Sequence, residues 1–155
     1  MKTLNISVIR YGSAFALGAL IYTLLELLWR GHTHWSMLLC GGACFAAIYY
    51  VYIHCAGAGV FGRALIGCAV ITLCEFVTGA FVNLKMSWNV WDYSSLPFNF
   101  MGQICIAYSA LWFALCFPAF YLCRVMEEKI FSRFAPDEDA GADELTNFDK
   151  DIYEK

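Results

Sequence analysis

Polar residues are rare in four long stretches of the chain: about Ser7 to Trp29, Trp35 to His54, Arg63 to Val82 and Asn99 to Cys123. A helix that crosses a bilayer needs about 20 mostly apolar residues, and each stretch is close to that length. The pattern therefore predicts an all-α fold, an integral membrane four-helix bundle. The first stretch is too long for the core of a signal peptide. Its small residues Ser13, Ala14 and Ala16 precede its most apolar part, the reverse of the order at a cleavage site, so it is expected to be retained. The connections, 30–34, 55–62 and 83–98, are short and hold no inserted soluble domain. Pro118 removes a backbone donor from the fourth span and predicts a kink near Ala114. Beyond Cys123 the segment Arg124 to Phe134 is amphipathic and predicts a helical continuation along the membrane surface, ended by Pro136.

Composition agrees with embedding: 61% of the 155 residues are apolar and 15% charged, unusual for a soluble domain of this size. Charge changes the picture because it is segregated. Residues 136–155 hold eight acids (Asp137, Glu138, Asp139, Asp143, Glu144, Asp149, Asp151 and Glu154) against Lys150 and Lys155, a net −6. Such a segment, rich in Asp, Glu, Gly and Ala, is expected to be a short disordered acidic C-terminal tail. Residues 1–135 carry +3, so the acidic pI of 5.5 reports the tail and not the embedded domain.

With four spans both termini share a side. That side holds Lys2, Arg10, Arg63, Arg124, Lys129 and Arg133, the other Arg30 and Lys85. The excess of basic residues places both termini, and the tail, in the cytoplasm, and the localisation expected is the plasma membrane. Trp29, Trp35, Trp88 and Trp91 all fall at the opposite boundary, where an interfacial aromatic belt would sit. The eight cysteines have no CxxC pair, and seven of them lie inside apolar runs. They read as small buried residues and not as a disulfide framework.

Charged groups within a span are costly and ask for a partner or an aqueous cavity. Glu26 lies one turn from the outer end of the first span with Arg30 at i+4, a spacing that favours an intrahelical ion pair. That pairing and a role in a site both fit. Glu75 lies deeper, among Ala69, Val70, Ile71, Leu73, Phe76 and Val77, with Asn83 roughly 12 Å further out along the axis. It is read as a pocket-lining or functional carboxylate, the alternative being an incidental helix–helix hydrogen bond. Ala14, Gly18, Tyr22, Glu26 and Arg30 form a stripe that permits close helix approach, and Gly41 and Gly42 permit the same on the second span. Asn83, Trp88, Trp91, Asp92, Asn99 and Gln103 follow in the outer half, the last two expected one turn apart at the start of the fourth helix. Together these residues suggest an outward-opening pocket walled by Trp88, Trp91 and Phe98. The loop WNVWDYSSLP reads equally well as an interfacial segment in which Asp92 caps a turn through Ser94 or Ser95.

Other chemistry is not legible. There is no GxxxxGK[ST] phosphate loop, no nucleophile with its base, and His32 and His34 alone fall short of a metal ligand set. No catalytic residue, cofactor, metal or nucleic-acid partner is expected.

The stretch from Glu75 to Trp112 resembles the CmpB-like family of small bacterial multi-pass membrane proteins, the ABC-transporter type IV family. The residues that carry the resemblance are Glu75, Thr78 and Gly79, then Asn83, then Trp88, Trp91, Asp92, Tyr93, Ser94, Pro97 and Asn99, and finally Gly102, Ile104, Cys105, Ser109 and Trp112. Gln103 stands where the family often has Arg. Glu26 and the stretch ELLWRGHTHWSM extend the resemblance towards the N-terminus, in a shorter form without the family's GPxxPIYG pattern. It covers roughly residues 10–125. It implies a transport-associated, permease-like subunit in the lipid bilayer that forms a homo-oligomer and recruits a separate ATPase subunit. The alternative is a non-transporting regulatory or scaffold protein whose acidic tail docks a basic partner.

The charge count makes a topological prediction. Alkaline phosphatase fused after residue 90 is expected to be active in a bacterial host, and the same enzyme fused after residue 131 inactive. The reverse pattern would overturn the assignment of sides.

Overall fold

The structure, a computed structural model, describes residues 2–132, with side chains described from residue 6 onward. The acidic tail expected at 136–155 lies outside the described residues. Four helices are long and apolar enough to cross a membrane, giving the all-α bundle expected. They are α1 (Lys2–Arg30), α2 (Trp35–His54), α3 (Gly59–Gly79) and α4 (Ile106–Val125). A 3₁₀ turn, Ala56–Ala58, leads into α3, and wider π-helical segments extend α3 through Ala80–Lys85 and α4 through Met126–Phe131. Arg63 therefore stands one turn inside α3 and is fully buried, its guanidinium 5.4 Å from the Tyr52 ring centre and 5.5 Å from that of Phe120.

Each boundary has a local cause. Gly31 takes a positive φ of 72° directly after α1, a conformation that glycine adopts without steric cost. His34 then caps α2: its backbone is extended and its Nδ1 accepts from the Ser36 amide at 3.3 Å. Gly59, at φ 66°, resets the chain into α3.

The helix expected from Asn99 does not form there. Residues 99–105 make a minute antiparallel hairpin, β1 (Asn99–Phe100) with β2 (Ile104–Cys105), and α4 begins only at Ile106. The turn between the strands puts Met101 at φ 55° and Gly102 at φ 69°, which no α-helix tolerates. Asn99 and Gln103 consequently do not lie one turn apart on a helix.

α2 is the central helix and packs against all three others, while α1 is seated along α2. The closeness of that seat rests on glycine. A Cβ added at Gly18 would come within 2.2 Å of the Phe45 Cβ, and one at Gly41 within 2.3 Å of the Tyr22 Cβ. Backbones this close let dispersion hold helices together where lipid tails remove the hydrophobic drive. Between α3 and α4, Gly67 plays the same part against the Cys116 sulfur. The core these contacts enclose includes Tyr49, Tyr52, Cys116, Phe120 and Cys123, and all eight cysteines are free. At the terminal end the π segment after α4 packs back onto the bundle: Tyr49 donates to Glu127, and Arg10 lies 3.7 Å from the same carboxylate.

Overpacking a tight core contact costs about 1–3 kcal/mol. Gly41→Leu and Gly18→Leu are expected to lower the melting temperature of the detergent-purified protein by several degrees. Gly57→Ala, where an added Cβ meets nothing within 4 Å, should leave it unchanged. Equal melting of all three would show that the α1–α2 approach is not tight.

Candidate functional site

The outer ends of the helices, the loop 86–98 and the hairpin meet around two carboxylates in different settings. Glu26 is 6% exposed on α1 and is met by charge: Arg30 Nη1 donates to Oε1 at 2.7 Å, and the Thr33 hydroxyl donates to Oε2. Arg30 also donates through Nη2 to the Val90 carbonyl at 2.5 Å. The ion pair expected from the i, i+4 spacing is thus present, and it ties α1 to the turn before α2 and to the outer loop.

Glu75, 4% exposed on α3, is met by neutral donors. The Tyr93 hydroxyl donates to Oε1 at 3.0 Å and the Trp112 indole N–H to Oε2 at 2.9 Å. Burial, reinforced by the charge of Glu75, pushes the Tyr93 phenol far above its ordinary range, so Tyr93 remains a donor at any physiological pH. Its ring stacks on Tyr108 at 4.5 Å between centres, which fixes the hydroxyl over the carboxylate.

The loop is held by Asn83. Its Nδ2 donates to the Trp91 carbonyl at 3.0 Å and to Gln103 Oε1 at 2.8 Å, while its Oδ1 accepts from the Val90 amide at 2.7 Å. The Trp91 indole donates to the Gln103 carbonyl at 2.9 Å, and its ring packs where a side chain at Gly79 would otherwise be. Trp91 is therefore buried in the protein and does not belong to the interfacial belt with Trp29 and Trp35. Asn99 braces the hairpin, donating to the Leu96 carbonyl at 2.8 Å and accepting from the Gly102 amide at 3.1 Å. Asp92 accepts from both the amide and the hydroxyl of Ser94, at 2.8 and 2.9 Å. This is the turn-capping geometry that its sequence allowed.

Beside this framework lies a cavity of about 610 Å³. Its walls come from one face of α1 (Tyr22, Leu25, Glu26, Trp29, Arg30), one face of α4 (Tyr108, Leu111, Trp112, Leu115), the loop from Trp91 to Leu96, and Met37. Of the residues singled out in the sequence, Glu26, Trp91 and Asp92 line it. Glu75 lies directly behind two of its walls, Tyr93 and Trp112. Asn83, Asn99 and Gln103 do not line it; they carry the loop that does. Trp88 and Phe98, expected as walls, are elsewhere. Trp88 packs 5.3 Å from His34 and 5.7 Å from Trp35, and Phe98 points outward, 79% exposed. Tyr22, Trp29, Tyr93 and Trp112, named in the sequence for other reasons, also line it; the aromatic lining residue that sequence reasoning passed over is Tyr108. Its one available signal was the pair Tyr108 and Trp112 at i, i+4.

A family model described as "Putative ABC-transporter type IV" matches residues 5–138. No solved structure matches the chain.

Asn83→Ala would strand the Val90 amide and the Trp91 carbonyl in the protein interior, at about 1–3 kcal/mol for each unsatisfied group. Lower melting and a red shift of tryptophan emission, as Trp91 meets water, are the expected results. Unchanged emission would show that Asn83 does not hold the loop.

Proposed function

Because the chain belongs to the ABC-transporter type IV family, we propose that it is a transport-associated, permease-like membrane subunit whose cavity binds a small cationic solute on the side away from the cytoplasm. One observation carries this reading. Among the described residues, Glu75 is a buried carboxylate held only by the dipoles of Tyr93 and Trp112, and those two side chains are at once walls of the cavity. A carboxylate within a membrane span is expensive, and its cost is offset where it serves a solute or ion. Asp92, at the loop end of the cavity, adds a second acid whose hydrogen-bond donors are neutral. The arrangement suits a cation and disfavours an anion.

The other parts of the reading follow from position. The side holding most of the basic residues is the cytoplasmic one by the positive-inside rule. A separate ATPase subunit would then meet the end formed by the loop before Arg63 and the π segment Met126–Phe131. As a small permease-like subunit, the chain is taken to act as a homo-oligomer.

The test is a thermal-shift screen of detergent-purified wild type and Glu75→Gln against inorganic and small organic cations. Gln keeps the shape and most of the hydrogen bonding of Glu while removing its charge. At least one cation is expected to stabilise the wild type and to leave the variant unaffected. If the whole panel leaves both proteins melting alike, the solute site falls and the non-transporting scaffold becomes the better reading.

A further inference from the structure

The cavity is not shaped like a site that only water reaches. Its two long walls are the facing stripes of α1 and α4, helices that approach one another through Tyr22 and Trp112, whose ring centres are 6.2 Å apart. α1 is seated on α2 and α4 on α3 and α2, so the gap between α1 and α4 is a slot along the side of the bundle. On α1 the lining runs from Tyr22 to Arg30, about 12 Å along the axis at 1.5 Å per residue, and on α4 from Tyr108 to Leu115, about 10 Å. Its edges are Leu25 and Trp29 on one side and Leu111 on the other, 49%, 82% and 45% exposed on helices that stand in lipid.

Along its length the slot changes character. At the loop end stand Arg30, Asp92 and Ser95, with Glu26 and Leu25 side by side one turn further in on α1, and towards the middle of the bundle the lining is Tyr22, Leu111, Trp112 and Leu115. Glu26 and Arg30 neutralise each other, which leaves Asp92 as the uncompensated charge of the lining, with Glu75 behind Tyr93. The rings of Trp29, Trp91, Tyr93 and Tyr108 line the same end, Tyr93 and Tyr108 stacked on each other, and aromatic rings attract ammonium groups.

We infer that the slot takes a single-chain amphiphile with an ammonium head, which enters sideways from the outer half of the bilayer between α1 and α4. Its head lies by Asp92 among the aromatic rings, and its chain runs down past Leu25, Leu111 and Leu115. The inference rests on the proposed cavity and narrows its ligand: an elongated, laterally open slot with a polar end and an apolar end fits a head with a tail better than a compact solute.

The experiment uses the full chain in lipid nanodiscs and decyltrimethylammonium carrying a diazirine at the end of its chain, with photolabelled peptides mapped by mass spectrometry. Saturable labelling of residues 22–29 and 108–115 is expected, competed by unlabelled decyltrimethylammonium at least tenfold better than by tetramethylammonium or by decyl sulfate. Leu111→Trp and, on the opposite wall, Leu25→Trp should each fill the slot and cut the labelling at least fivefold. Leu65→Trp, on an exposed face of α3, should not. Asp92→Asn should weaken competition by the ammonium compound and leave that by decyl sulfate unchanged. Equal competition by tetramethylammonium would overturn lateral entry while leaving a water-reached cation site standing. Labelling that does not saturate, or that spreads over all four helices, would overturn the slot itself.

Discussion

A backbone amide or carbonyl outside a helix has to find its partner within the protein when no water is at hand, and the chain between Lys85 and Ile106 is almost entirely of that kind. Asn83 answers this constraint for its centre, reaching one amide, one carbonyl and one side chain. The rest follows from that clasp. With Val90 and Trp91 held, the Arg30 guanidinium has a fixed carbonyl to reach, the Trp91 ring fills the hollow over Gly79, and Tyr93 hangs at the height of Glu75. The wider π-helical turn at Ala80–Lys85 belongs to the same device. Six residues there turn more slowly than α-helical ones would, and Asn83 comes round to face the loop.

The parts of the fold that sequence revealed are those set by bulk hydrophobicity and by local spacing. The four apolar stretches, the Glu26–Arg30 pair and the glycines of the α1–α2 seat depend on residues a few positions apart on one helix, where periodicity is a direct guide. The start of α4 was hidden because Asn99 to Cys105 runs into the apolar helix without a break, its Phe100, Met101, Ile104 and Cys105 continuing the apolar stretch. Only the positive φ at Met101 and Gly102 excludes a helix there, and Gly102 alone hinted at it. The tryptophans were misjudged for a related reason. Trp88 and Trp91 sit three residues apart at the same boundary, yet one packs on His34 and Trp35 and the other inside the protein. What separates them is the hydrogen bond from the Trp91 indole to the Gln103 carbonyl, a tertiary contact with no local trace.

The polar residues divide in the same way. Sequence picked out the outer cluster because buried polar groups are rare, but rarity does not tell a lining residue from a supporting one. Asn83, Asn99 and Gln103 spend their hydrogen bonds on backbone and on each other. They resemble the polar groups of any well-satisfied buried turn. Glu26 too is satisfied, by a full countercharge.

Glu75 differs from all of these, and the difference is one of charge balance. An indole or a phenol offered to a carboxylate lowers the cost of burying its charge without cancelling it. Both donors to Glu75 belong to side chains that also line the cavity, so the carboxylate is linked to the cavity wall through two hydrogen bonds. A purely structural carboxylate gains nothing from that link, and replacing such a group by an apolar residue of similar volume is often neutral or stabilising. A cation in the cavity reverses the balance, since the charge that Tyr93 and Trp112 leave uncancelled then contributes an attraction across the rings in a medium of low dielectric. On the proposed reading, the position of Glu75 behind its aromatic screen becomes economical when the slot between α1 and α4 is occupied.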